Sequence, residues 1–360
     1  MNILELTFDE FTNELKRQYG KGKYHACAVY REVFHNGNTD FEKLNEFSKS
    51  LQFARELENR IILNLYPVIN TQKKNSTVKF VTKLKDGLEI ESVIIPMSNY
   101  NTICVSSQVG CKMGCKFCET AKMGFLRNLT VEEIVGQVYT ARIVLGVNIR
   151  NIVFMGMGEP LDNFENVIRS IRVMNEQRGL NFSKRRITVS TAGKIDGIYK
   201  LAELNWPQLN LAVSVNAPND KIRSKIMPYN KYAPMNMLHR ALMEYPLKKS
   251  GTLYIEYVLI KNVNDSRADA TELADYIKPF RSKLNLISYN KNSSNLFVPP
   301  SYKDMIRFRN WLVEEKVFVR MRTEKGGNLL AACGQLGNKR IKPDITKNTI
   351  TKNYEIKQGF

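Results

Sequence analysis

Three cysteines fall within eight positions of one another, Cys111, Cys115 and Cys118 in CKMGCKFC, a C-x3-C-x2-C spacing. Thiolates this close in one loop can converge on a single inorganic centre. The count is three rather than four, whereas a structural zinc site is tetrahedral, closed and usually built from two paired-ligand knuckles. No second C-x2-C and no His-x3-His follows, and the histidines stand apart at His25, His35 and His239. A second chemical feature is Gly156-Met157-Gly158-Glu159, a glycine-rich turn that brings backbone close to a ligand and ends in an acid able to accept from an ammonium group. Taken alone it reads sooner as a tight strand-to-loop turn. Cys104, between Ile103 and Val105, reads alone as a small hydrophobe in a strand.

The elements around these residues alternate. TICVSS, NIVFM, RITVST, NLAVSV, TLYIEYVLI and KLNLISY read as strands, each followed by a segment of helical composition, which means a parallel α/β sheet. Thr130-Val131-Glu132-Glu133 is a capping box that starts the first helix, so residues 107–129 form a long loop leaving a strand's carboxyl end. Sites gather at such ends, and this loop holds the cysteines. Upstream, TVKFVTKL and LEIESVIIP flank Lys85-Asp86-Gly87, a hairpin signal. Residues 1–75 carry short amphipathic helical patterns and form a small helical domain; 76–338 is the core; 339–360, with six basic residues against two acidic, is a basic mobile tail.

The chain of 360 residues is 43% hydrophobic and 25% charged, globular in composition and long enough for a barrel plus a smaller unit. Its 54 Lys and Arg against 35 Asp and Glu give +19, a field that attracts polyanions and points to nucleic acid. Lys16, Arg17, Lys21 and Lys23 interleave with Tyr19 and Tyr24, and Lys184-Arg185-Arg186 precedes a strand; these are candidate phosphate contacts. Clustered cysteines, an acidic N-terminal segment without an apolar core and the lack of a long apolar run place the protein in the cytoplasm, away from the membrane.

The cysteine spacing after the first barrel strand resembles the radical S-adenosylmethionine superfamily. Read together, CVSSQVGC, MGMGEPL and AACGQL resemble the rRNA adenine methyltransferases of the RlmN and Cfr family over roughly residues 20–338. The Pro160-Leu161 pair is more like RlmN, which methylates carbon 2 of adenine, than Cfr, which methylates carbon 8. The resemblance implies a partial (β/α)6 barrel with the N-terminal helical domain and hairpin as extensions. It implies a 4Fe-4S cluster on Cys111, Cys115 and Cys118 whose open iron binds S-adenosylmethionine, with Gly158, Glu159, Ser190, Ser214, Val215, Asn216 and Asn290 as cofactor contacts.

In the family scheme Cys333 accepts a methyl group from one cofactor molecule and a radical from a second activates it for addition to the ring. Glu91 takes up the proton, and Cys104 releases the product, leaving a transient Cys104–Cys333 disulfide. A covalent detour through a thiolate suits a ring carbon that is not nucleophilic. The implied partners are 23S rRNA, with tRNA as a candidate second substrate, and an external electron donor such as flavodoxin or ferredoxin, acting on a monomer.

Three positions depart from the family pattern: Asn216 stands where histidine is usual, Gly326-Gly327-Asn328-Leu329-Leu330 replaces an acid-bearing stretch, and Glu119 follows the last cluster cysteine in place of a small residue. The alternatives are methylation at carbon 8 or of another RNA adenine, and a non-catalytic zinc-stabilised RNA-binding protein.

Overall fold

The computed structural model describes residues 1–291, 293, 296–322 and 334–337. The departure at 326–330, Cys333 and the 339–360 tail lie outside the described residues. Ten strands form one sheet: β1 (Val68–Lys74), β2 (Thr77–Lys83), β3 (Glu89–Pro96), β4 (Asn101–Cys104), β7 (Ile149–Phe154), β8 (Ile187–Thr191), β9 (Asn210–Ser214), β10 (Leu253–Leu259), β11 (Ser282–Ser288) and β12 (Val319–Arg322). They lie in that spatial order, β1 to β4 antiparallel and β4 through β12 parallel. Two further strands, β5 (Gln108–Gly110) and β6 (Phe125–Asn128), make a separate hairpin.

All six strands expected from the sequence are present and parallel. Their central residues are buried because helices cover one face and the barrel interior the other. The sheet's edges, β1 and β12, have no pairing between them among the described residues, so the barrel is partial.

The hairpin expected around Asp86-Gly87 joins β2 to β3, and the capping box at Thr130 and Glu133 starts the helix Val131–Tyr139. Two differences stand out. Residues 68–74, within the segment read as helical, form β1, whose side chains are mostly exposed; a polar edge strand lacks the alternation that identifies a buried one. The loop between β4 and the helix Val131–Tyr139 is not featureless: it folds back on itself through β5 and β6.

The helices Phe8–Tyr19, Lys23–Arg31 and Leu51–Arg60 share one continuous hydrophobic core with the barrel. Tyr139 joins them, donating from its hydroxyl to Val33 O at 2.9 Å with its ring against Phe34. His25 packs among the rings of Tyr24, Phe47 and Phe53, a structural role. No helix among the described residues is long and apolar enough to cross a membrane.

Candidate active site

The cysteine loop is shaped by the β5–β6 hairpin. Gly110 has φ +76°, and a Cβ there would lie 1.8 Å from Gly124 O, so only glycine lets the loop close as it does. Cys111 N then donates to Gly124 O at 2.9 Å, Cys118 N to Cys115 O at 3.1 Å, and Lys116 N to Ile226 O at 2.9 Å. The three thiols thus come to line one cavity at the carboxyl ends of the parallel strands.

Burial pushes the Cys111 thiol up to about 12 and raises those of Cys115 and Cys118, and mutual repulsion adds to the rise in Cys111 and Cys115. Such thiols ionise only when a cationic centre compensates them, which is the donor chemistry an iron–sulfur cluster needs. No group of three His, Cys, Asp or Glu among the described residues is gathered to hold a metal ion. The thiols stand around a cavity, as the ligands of a multi-iron cluster must.

The facing wall is the turn after β7. Gly158 has φ +98°, and a Cβ on it would lie 2.7 Å from Gln108 N, so the turn lies directly against the chain leaving β4. Gln108 fixes it: its Oε1 accepts from Glu159 N at 2.8 Å while its Nε2 donates to Asn128 Oδ1 at 2.8 Å and Asp162 Oδ2 at 3.3 Å. Glu159, 3% exposed, accepts from Ala192 N at 2.7 Å and Leu161 N at 3.1 Å. Burial nevertheless raises its pKa to about 7. A carboxylate so desolvated gains most from a cationic ligand such as an ammonium group.

Ser190 on β8, Ser214 on β9 and Asn216 just beyond also line the cavity. Asn216 holds φ +57°, a left-handed conformation asparagine tolerates. Its Oδ1 accepts from Val258 N at 2.9 Å and its Nδ2 donates to Met227 Sδ at 3.3 Å, so at this departure the amide braces β9 against β10 while facing the cavity. Val215 is fully buried away from the lining, and half-buried Asn290 also lies outside it.

A remote segment completes the wall. Gly334, which follows Cys333 in the chain, lines the cavity with Leu336. Glu119 N donates to Gly334 O at 2.7 Å and Thr120 Oγ1 to Leu336 O at 2.5 Å. Gly337 N donates to Glu91 Oε2 at 3.0 Å, and Lys79 Nζ lies 3.3 Å from the other oxygen of that carboxylate. Glu91 is 4% exposed on β3, so it is not a solvated hairpin charge. Glu119 is tied to Lys122 at 3.1 Å and to Ser293 Oγ at 2.9 Å, so at this departure the carboxylate ties the cysteine loop to the chain after β11.

Cys104 is buried at the end of β4, outside the lining. No disulfide occurs among the described residues, and Cys333 lies outside them, so the expected Cys104–Cys333 disulfide is not supported.

Three residues near the cavity escaped the sequence reading. Gln108 carries the hydrogen bonds given above. Glu256, a charge in the middle of the apolar run TLYIEYVLI, lines the cavity with Oε1 accepting from Asn285 Nδ2 at 2.8 Å and 3.6 Å from Arg322 Nη2, and Oε2 has no hydrogen bond among the described residues. Arg223, in the polar-looking DKIRSKI, is fully buried, and only the surrounding chain reveals this.

Comparison with known proteins agrees with this arrangement. Residues 105–274 match the model of the Radical SAM superfamily. A probable dual-specificity RNA methyltransferase RlmN 1 of Protochlamydia amoebophila is 42% identical over 351 residues, covering 96% of this chain and 97% of the relative. The dual-specificity RNA methyltransferase RlmN of Geobacter sulfurreducens is 40% identical, covering 94% and 92%. The crystal structure of a radical SAM methyltransferase from Sphaerobacter thermophilus matches with a TM-score of 0.84 at 36% identity, covering 93% of this chain and 99% of that one. The chain belongs to the RlmN family of radical SAM RNA methyltransferases, whose cofactors are a 4Fe-4S cluster and S-adenosylmethionine.

Proposed function

We propose that the protein methylates carbon 2 of an adenine in 23S rRNA, with tRNA as a second substrate, through a methyl group carried on Cys333 and with two S-adenosylmethionine molecules per turnover. The observation that carries this reading is the docking of residues 334–337. The chain directly after Cys333 is hydrogen-bonded both to the loop of Cys111, Cys115 and Cys118 and to Glu91, and it walls the same cavity.

The three cysteines hold the cluster. Glu159 would receive the cofactor's ammonium group beside the backbone of Gly158, while Ser190, Ser214 and Asn216, which line the cavity, would contact the rest. When bound, cluster and cofactor supply the methyl group and a hydrogen-abstracting radical. Glu91, held by Lys79 and Gly337, takes the proton that leaves the ring. Cys104 would then attack the Cys333 sulfur: an S–S bond forms as the bond from that sulfur to the methylene carbon breaks, and the carbon keeps the electron pair and takes up a proton to become the methyl group. The strands and the 334–337 segment enclose the chemistry, so the adenine must leave its stack to enter, at a cost of a few kcal/mol.

The N-terminal helical region before β1 and Lys184-Arg185-Arg186 supply contacts to RNA phosphates, and Tyr24, 65% exposed, offers a stacking face. Flavodoxin or ferredoxin supplies electrons, and the enzyme acts in the cytoplasm as a monomer. The test is anaerobic turnover on 23S rRNA and tRNA transcripts with mass spectrometry of the modified base. Wild-type protein yields methylation at carbon 2, Cys333→Ala yields none, and Cys104→Ala accumulates a covalent protein–RNA adduct. Methylated RNA from Cys333→Ala, or methyl groups at carbon 8, would overturn the proposal.

A further inference from the structure

Arg223 lies on the helix Asp220–Ile226 and is 0% exposed. Its guanidinium makes five hydrogen bonds. Nε donates to Val215 O at 3.2 Å, Nη1 to Asn230 Oδ1 at 2.7 Å and Ala233 O at 3.1 Å, and Nη2 to Ala192 O at 2.6 Å and Ser214 O at 3.3 Å. Every acceptor is a neutral oxygen. These bonds satisfy the N–H groups but set no carboxylate against the guanidinium, and a buried cation without a direct counter-charge is costly.

Other cations close in sequence to lining residues are treated differently. Lys112 pairs with Asp162 at 2.9 Å, Lys122 with Glu119 at 3.1 Å, and Lys194 with Asp196 at 3.1 Å. Among the described residues no carboxylate forms an ion pair with Arg223; Asp220 acts on it at one remove, through Asn230, whose Nδ2 donates to Asp220 Oδ1 at 2.8 Å. A second anion has a place nearby. Arg223 holds the carboxyl ends of β8 and β9 through Ala192 and Ser214, both of which line the cavity. Lys116 N bonds Ile226 O, which seats the cysteine loop on the same helix, and Cys115 packs in one cluster with Ile222, Ile226 and Met227. The charges of Arg223 and a Cys115 thiolate also act on one another.

We propose that Arg223 is the buried counter-charge of the three-thiolate centre, a positioning residue that favours the more negative, reduced state of the cluster and so sets its reduction potential. The inference rests on reading Cys111, Cys115 and Cys118 as the cluster's ligands. Iron–sulfur potentials follow net charge and surroundings, and a fixed cation in a poorly screened interior acts at longer range than one in water.

The experiment is a redox titration of the anaerobically reconstituted protein followed by electron paramagnetic resonance, with melting temperatures measured alongside. Arg223→Gln shifts the midpoint to a more negative potential. Arg223→Lys, which also loses most of the carbonyl bonds but keeps the charge, melts earlier yet retains the wild-type midpoint. Equal midpoints in all three proteins, or equal shifts in both variants, would mean that Arg223 acts only as a clamp and would overturn the proposal. Should Arg223→Gln fail to fold, Arg223→Met, which also lacks the charge, takes its place with the same negative shift expected, and a shifted midpoint in Arg223→Lys overturns the proposal. Wild-type protein that binds no iron and sulfide would instead overturn the ligand reading, and this inference with it.

Discussion

Raising the pH across the titration of Glu159 destabilises the ligand-free protein, and Glu159→Gln removes that dependence. Burial is the largest influence on this carboxyl, raising its pKa from 4.5 to about 7, while the amides of Ala192 and Leu161 and the Thr191 side chain act in the opposite sense. Between those two values the folded chain keeps a proton that the unfolded chain has released. The group's contribution is therefore most favourable below pH 4.5, declines as pH rises, and levels off above about 7. At about 1.4 kcal/mol per unit, the shift corresponds to roughly 3 kcal/mol.

Urea unfolding of apoprotein and of the Glu159→Gln variant across this window measures it. The amide has one acceptor oxygen for the two backbone N–H groups that the carboxylate serves, so the variant carries a constant penalty. The difference between the two proteins then changes by roughly 3 kcal/mol from the acid to the alkaline end. Parallel curves would refute the assignment of this desolvation to Glu159. A bound ammonium group reverses the trend: S-adenosylmethionine stabilises the wild type more above the transition than below it.

Gly158→Ala forces a side chain into a left-handed turn and within 2.7 Å of Gln108 N. Backbone strain of about 1–3 kcal/mol is expected, with a loss of S-adenosylmethionine affinity of about tenfold or more, read by urea unfolding and equilibrium binding. Tyr139→Phe removes the hydroxyl that donates to Val33 O and leaves that carbonyl unpaired between the helical domain and the barrel. The urea midpoint drops by the equivalent of about 1–2 kcal/mol, and an unchanged midpoint would show that this bond does not fasten the helices.

The parallel strands were legible because each is a short run of β-branched and aliphatic residues buried on both faces, as in NLAVSV and TLYIEYVLI. The cysteine spacing and the GMGE turn were legible because each is local. Strand β1 was hidden since VINTQKK is polar, as an exposed edge can be, and β5 and β6 are too short to show a period. Arg223 was hidden for another reason: nothing within DKIRSKI signals that the chain around Asn230 and Ala233 will enclose it. The role of Gln108 depends on three segments meeting, which no local pattern encodes. Glu256 did leave a trace, an acid amid aliphatic neighbours, and such an interruption is a sound pointer to a barrel interior.

The wall formed by residues 334–337 also bears on how the molecule is assembled. Gly337 meets Glu91 across 246 positions of chain, and Leu336 meets Thr120 across 216. A ribosome delivers the cysteine loop and all the barrel strands before this last piece emerges, and contacts so distant along the chain are the slowest to form. The pocket is therefore built open on one side and sealed last, leaving an interval in which iron and sulfide can reach the thiols before the enclosure closes over them.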